Sequence, residues 1–152
     1  GKDKFINILS VDDSTHRLEI ILFSDVYEKY RDLIKENEIL FFSGVIAMDD
    51  YNGDLSMKAT KVIDMDSARQ QYSKEIELFI LPEHISDNIL ERIVRLLEPH
   101  KNGKCPLTIK CLSNQHIVPL ELDNEWFINP SSSLINGLSD LLGRENIIVK
   151  YE

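Results

Sequence analysis

The stretch Arg17-Leu18-Glu19-Ile20-Ile21-Leu22-Phe23, followed at once by Asp25-Val26-Tyr27-Glu28-Lys29-Tyr30, decides the fold of this chain. Leu18, Ile20 and Leu22 alternate with Glu19, Ile21 and Phe23, and a period of two marks an extended strand with two different faces. The pattern then changes. Val26, Tyr27, Tyr30, Leu33 and Ile34 line up as one apolar helical stripe, with Asp25 and Glu28 in capping-box spacing. That helix is expected to fade at Glu36-Asn37. Upstream, Phe5 to Val11 reads as another strand, ended by the turn cluster Asp12-Asp13-Ser14-Thr15. Downstream, Ile39 to Met48 is almost wholly apolar around Gly44. It reads as a strand buried on both sides, or bent sharply round a barrel at that glycine. Asn52-Gly53 within Asp49 to Asp54 suits a tight hairpin turn, and Leu55 to Met65 returns as a last strand.

Two strands, a lone helix and two more strands match the later part of an OB-fold, a five-stranded Greek-key barrel. The first strand, which would pair with both its second and its fourth or fifth neighbours, has no counterpart here. The expected fold class for residues 1–70 is therefore a β-barrel of OB type lacking its first strand, with an exposed edge or one completed by another chain.

Residues 71–152 read as a small α+β domain. Ala68 to Lys74 is a charged connector and Glu75 to Leu81 a strand. Ser86 caps a helix through Ile89, Ile93 and Leu97, which Pro99 stops. Leu107 to Cys111 and Val118 to Leu122 alternate as strands, the second placed at a sheet edge by Pro119. Glu125 to Ile128 is a short strand or extended link. Asn129-Pro130 opens a final helix that Gly143 closes, and Ile147 to Tyr151 is the last strand.

Composition narrows the function. The 152 residues carry a net charge of −9, with ten basic against fourteen acidic residues up to Lys74 and seven against twelve after it. Sequence-blind binding to nucleic acid draws on basic surface that releases counterions, so contact with a strand is expected to be local and weak. No apolar run reaches the roughly 18 residues that span a bilayer, so no membrane contact is expected. Two cysteines without a secretory signal suit a reducing, cytoplasmic setting.

Several groups of residues together are similar to the C-terminal region of the bacterial replicative DNA polymerase III alpha family. In the first half these are Val11-Asp12-Asp13, Arg17 to Phe23, Val26-Tyr27-x-Lys29-Tyr30, Ser43-Gly44, Asp49-Asp50-Tyr51 and Val62-x-Asp64-Met65-Asp66-x-Ala68-Arg69. In the second half they are Leu97-Glu98-Pro99-His100 and Trp126-x-x-x-Pro130-Ser131-x-x-Leu134-x-x-x-Leu138-x-x-Leu141-x-Gly143. The resemblance implies a DNA-directed DNA polymerase, a nucleotidyltransferase, whose catalytic aspartates lie upstream of this region, in a chain many times longer that ends near Glu152. It also implies weak contact with single-stranded template through the OB-fold and docking to the tau subunit of the clamp loader. The rest of the polymerase chain is a further implied partner.

Taken by chemistry, the residues offer no catalytic, cofactor or metal site. The pairs Asp12-Asp13 and Asp49-Asp50 point to opposite faces of an extended chain and are explained as turn residues. Cys105 and Cys111, if joined through a strand, stand roughly 20 Å apart, too far for one zinc ion or a disulfide. No nucleophile elbow or phosphate-cradling glycine loop is present. For nucleic acid the candidates are Arg17, Phe23, Tyr51 and Lys58, extended by Lys2, Lys4 and Phe5, because OB-folds stack bases on aromatics of that face. Phe23 is equally readable as part of the core under the helix. For the protein partner the candidates are Trp126 and the strand residues Ile147, Ile148, Val149 and Tyr151, with the outer face of the helix Ser131 to Leu142. Trp126 reads either as a core anchor or as an exposed contact. A protein-binding OB module without useful nucleic-acid affinity is the alternative, and an anticodon-reading OB domain a third.

Overall fold

The computed structural model describes residues 6–12, 14–48, 53–85, 88–113 and 116–151. The chain divides into two compact units, Gly1–Met65 and Asp66–Glu152. Both are built on mixed four-stranded sheets, with helices packed against them.

In the first unit β1 (Ile6–Asp12), β2 (Arg17–Phe23), β3 (Leu40–Met48) and β4 (Leu55–Asp64) lie in the order β1-β2-β4-β3. The β1–β2 hairpin is antiparallel from Ile6↔Phe23 to Asp12↔Arg17. Its turn is set by Asp12, whose Oδ1 accepts from the Ser14 amide at 2.6 Å while Ser14 adopts φ 71°. β2 runs parallel to β4 through Glu19↔Ser56, Ile20↔Met57 and Ile21↔Lys58. Alternation puts Ile20 and Leu22 on the inner face, where they are buried with Ala59 and Val62. Val26, Tyr27, Tyr30 and Ile34 pack on that core from the helical segment.

The sheet is open rather than closed into a barrel, and β1 and β3 are its unpaired edges among the described strands, in keeping with the exposed edge expected from the sequence. The expectation for Ile39 to Met48 is corrected for the same reason. β3 is an edge strand rather than one buried on both sides, with Val45, Ile46 and Met48 each more than half exposed. The bend at Gly44 is present as a shift of register between Ser43 and Gly44. A Cβ on Gly44 would stand 2.1 Å from the Lys58 carbonyl oxygen, so the β3 backbone approaches β4 more closely than any side chain allows.

The helix α1 (Ser24–Tyr30) begins one residue earlier than its sequence suggests. Phe23 is the N-cap and makes no side-chain cap bond, so the Asp25–Glu28 capping box does not form. The chain passes straight from strand to helix, which leaves Asp25 inside the first turn, where its charge favours the helix dipole.

In the second unit the order is β8-β7-β5-β9, with β5 (Ser73–Ile80), β7 (Leu107–Leu112), β8 (Ile117–Glu121) and β9 (Ile147–Tyr151). β5 and β7 are parallel and joined through α3 (Ile89–Leu97), the crossover a parallel pair requires. Pro119 sits in β8 at the sheet edge, as its missing donor demands. Ile76, Leu78 and Ile80 face inward with Leu107 and Ile109. They share one core with Ile93 and Leu97 of α3 and Leu134, Leu138 and Leu142 of α4 (Ser132–Leu142).

Two local readings change. The connector Ala68 to Lys74 is the helix α2 (Met65–Tyr72) and the start of β5. Glu125 to Ile128 is a 3-10 turn over Asn124–Trp126 followed by an extended link, not a strand. A further strand, β6 (Lys101–Cys105), bridges Ile128 from both of its ends. Gly103 is what permits this, since a Cβ there would lie 2.0 Å from the Ile128 carbonyl. Ser131 caps α4 by accepting from the Leu134 amide at 3.2 Å. The Ser86 cap lies outside the described residues.

Candidate nucleic-acid and partner interfaces

On the first sheet, the outward-facing positions follow from register. Arg17, Glu19, Ile21 and Phe23 of β2 lie opposite Asp12, Ser10, Ile8 and Ile6 of β1. Lys58 of β4 lies beside Ile21 and opposite Val45 of β3. The fold therefore puts Arg17, Phe23 and Lys58 on one face, turned away from the α1 core. Phe23 is half-buried and is not among the residues packed on that core. Arg17 Nε donates to Ser10 Oγ across the hairpin. Tyr51, Lys2, Lys4 and Phe5 lie outside the described residues.

Composition of the face departs from a simple basic strip. Ile8, Ile21, Lys58 and Val45 form one row across the four strands, with Ile8 60% and Val45 67% exposed. Glu19 occupies the next row between Ser10 and Ser56. Sequence reading passed over Ile8, Val45 and Glu19. The alternation that reveals Phe23 also reveals Glu19, but Val45 needs the β3–β4 register, which no local pattern encodes.

On the second unit the five partner candidates divide. Ile147 is 3% exposed and Val149 packs on the core, so their side chains face inward. Trp126 is half-buried against the same core and carries Lys101 Nζ 4.1 Å from its ring centroid. Ile148 and Tyr151 are exposed, at 43% and 51%. β9 pairs with β5 alone, which leaves its other edge open among the described strands.

Beside Ile148, the outer face of this sheet holds a charged network. Glu77 Oε1 accepts from Lys110 Nζ at 2.6 Å and from Lys150 Nζ at 2.8 Å. Glu75 accepts from Thr108 Oγ1 at 2.9 Å and from Lys150 at 2.8 Å. The hydrogen bond from Lys110, and then that from Lys150, hold Glu77 below the usual carboxylate range. Glu75 is lowered by Lys150 and Thr108, while Lys150 is raised by both glutamates. Every charge is answered within the sheet, as a structural network demands.

Two stretches that carry the resemblance meet at the start of α4. Asp66 Oδ1 accepts from the Ser132 amide and hydroxyl, each at 2.7 Å, and Arg69 joins both residues. The helix terminus is thus already occupied by a carboxylate of the same unit. Among the described residues no cluster of His, Cys, Asp and Glu could hold a metal ion. Cys105 and Cys111 are free, and burial pushes the Cys105 thiol up to about 11. No helix among them is long and apolar enough to cross a membrane.

Residues 92–143, from α3 to the end of α4, match the family described as DNA polymerase III subunit alpha, C-terminal domain. The match with DNA polymerase III subunit alpha of Escherichia coli K12 is 33% identical over 147 residues, 97% of this chain. The sequence is homologous to the C-terminal region of the bacterial DNA polymerase III alpha subunit. The corresponding protein of Vibrio cholerae is 32% identical over 96% of the chain, and that of Pasteurella multocida 24% identical over 99%. In each case the chain spans 13% of the relative's length. The homology extends through both sheets, including the DNA polymerase III-like stretches at Arg17–Phe23 and at the start of α4.

Proposed function

We propose that this region is a non-catalytic part of a bacterial replicative DNA polymerase chain, which contacts single-stranded template weakly and docks the clamp-loader tau subunit. Strand order supports the OB reading of the first unit. The two unpaired edges, β1 and β3, are those that a first OB strand would join, and Ile46 and Met48 stand exposed there for it to cover. The observation that carries template contact is the common face of Arg17, Phe23 and Lys58, where a base stacked on Phe23 would contribute about 1–3 kcal/mol. Docking to tau falls to the second unit, through the open β9 edge and the exposed Ile148 and Tyr151. Template and clamp loader held by one chain then reinforce each other through effective concentration rather than through one tight site.

The row Ile8, Ile21 and Val45 favours the second reading, a protein-binding OB module, because aliphatic side chains cannot stack bases. Affinity of the full-length polymerase for primer–template separates the two. A paired change Arg17→Ala and Lys58→Ala is expected to weaken binding several-fold when the template overhang exceeds the roughly 16 nucleotides such a face can hold. A blunt-ended duplex is the control, and equal affinities on the long overhang would favour the protein-binding module. For tau, capture by the polymerase carrying Ile148→Asp and Tyr151→Ala is expected to fall, and undiminished capture would move the docking surface elsewhere.

A further inference from the structure

We infer that Glu19 sets the affinity of the first sheet's outer face, acting as a fixed negative charge that keeps template binding weak and readily reversed. The inference rests on the nucleic-acid reading of that face and goes beyond it by naming what limits it. Glu19 is exposed in mid-strand, two residues from Arg17 on the same face of β2. Its neighbour across β4 is Ser56, two residues from Lys58 on that strand. Glu19 thus occupies the row between those of Arg17 and Lys58, its strand position about 7–8 Å from theirs by sheet geometry. Neither lysine nor arginine closes an ion pair with it: Arg17 is turned to Ser10 across the hairpin.

A backbone phosphate passing from Arg17 to Lys58 must cross this carboxylate. Like charges at that separation repel, and the cations give up part of their attraction to a charge already in place. Asp12, a carboxylate on the same face, is engaged differently: it holds the Ser14 amide and forms the hairpin turn. Glu19 has no such structural duty, since its cross-strand neighbours are the small residues Ser10 and Ser56. A weak, electrostatically restrained contact suits a chain that must slide along template while remaining near it.

The test uses full-length polymerase carrying Glu19→Gln, with Glu36→Gln, in the exposed loop after α1, as a variant of equal net charge. Affinity is measured on primer–template with the long overhang and on blunt duplex, across a salt series. Glu19→Gln is expected to tighten long-overhang binding about three- to ten-fold and to steepen the logarithmic salt slope by up to about 0.7, with blunt duplex unchanged. An equal gain from Glu36→Gln would overturn the inference, because net charge alone would then suffice. No gain from Glu19→Gln, while Arg17→Ala with Lys58→Ala still weakens binding, would overturn it and leave the template reading standing. Indifference of the long overhang to all of these variants would remove that reading, and the inference with it.

Discussion

The two sheets are equal in strand number but differ in how much apolar surface each encloses. Among the described residues the second unit's core holds fifteen buried side chains, shared between the sheet, α3 and α4, whereas the first unit's holds four beside one seven-residue helix. Much of what the first sheet fails to cover lies on its edge strands, Ile6 and Ile8 on β1 and Val45, Ile46 and Met48 on β3, with Leu55 of β4 beside them. Both sheets keep open edges, and the second also exposes Ile117, Val118 and Leu120 on β8, so the difference lies in the size of the core each encloses. Apolar residues exposed singly are ordinary, but a concentration along two strand edges marks a surface that another segment covers.

This contrast yields its largest expected effect in the second core. Leu138 is fully buried where α4 meets the sheet, and Leu138→Ala is expected to cost about 2–5 kcal/mol. Leu22, equally buried in the first sheet, is expected to cost nearer the low end, because an open sheet can close on a cavity more easily. Amide exchange in the full-length chain reads each loss locally, in β5 and β9 for one and in β2 and β4 for the other. Equal losses would show that the first unit is as tightly enclosed as the second.

A backbone device is the next test. Gly44→Ala would push a methyl against the Lys58 carbonyl and is expected to cost about 1–3 kcal/mol, releasing β3 from β4. Faster exchange confined to β3 and β4, with β5 to β9 unchanged, is the expected pattern. Spread of the effect into the second unit would contradict the division into two compact units.

Much of both sheets is legible in the residues, because period-two alternation at Leu18–Phe23 and Leu107–Cys111 directly encodes which face is buried. The final helix is legible for the same kind of reason, with Ser131 at its start and Gly143, at φ 85°, at its end. β6 is not, because Lys101-Asn102-Gly103-Lys104-Cys105 has no apolar alternation and is held by Ile128, more than twenty residues away. For Phe23, alternation alone allows the outer face, and its absence from the residues packed on the α1 core decides between its two readings. Ile147 and Ile148 illustrate the limit at the partner interface: adjacent aliphatic residues of one strand read alike, and only the packing of α4 against one face separates a core residue from an exposed one.

The smallest expected effect concerns charge rather than apolar area, and it sharpens the comparison from the second unit's uncovered face. Glu77 has a side chain only 8% exposed, with Lys110 and Lys150 both bonded to its carboxylate. Glu77→Gln leaves both lysines without that carboxylate and is expected to cost about 0.5–1.5 kcal/mol, kept low because Lys150 is 46% exposed. The sign of its pH dependence follows from the shifts. Glu77 and Glu75 sit below the usual carboxylate value in the folded chain, so their contribution is complete above that value and is lost as pH falls through the folded one. Lys150 is raised, so its share is complete below the usual lysine value and is lost only as alkaline pH passes the folded one. Acid should therefore loosen β5 and β9 in the wild-type chain more than in Glu77→Gln, as measured by exchange between neutral pH and a pH below the usual carboxylate value. A wild-type and variant response of equal size would mean that the network neutralises its own charges without holding the sheet together.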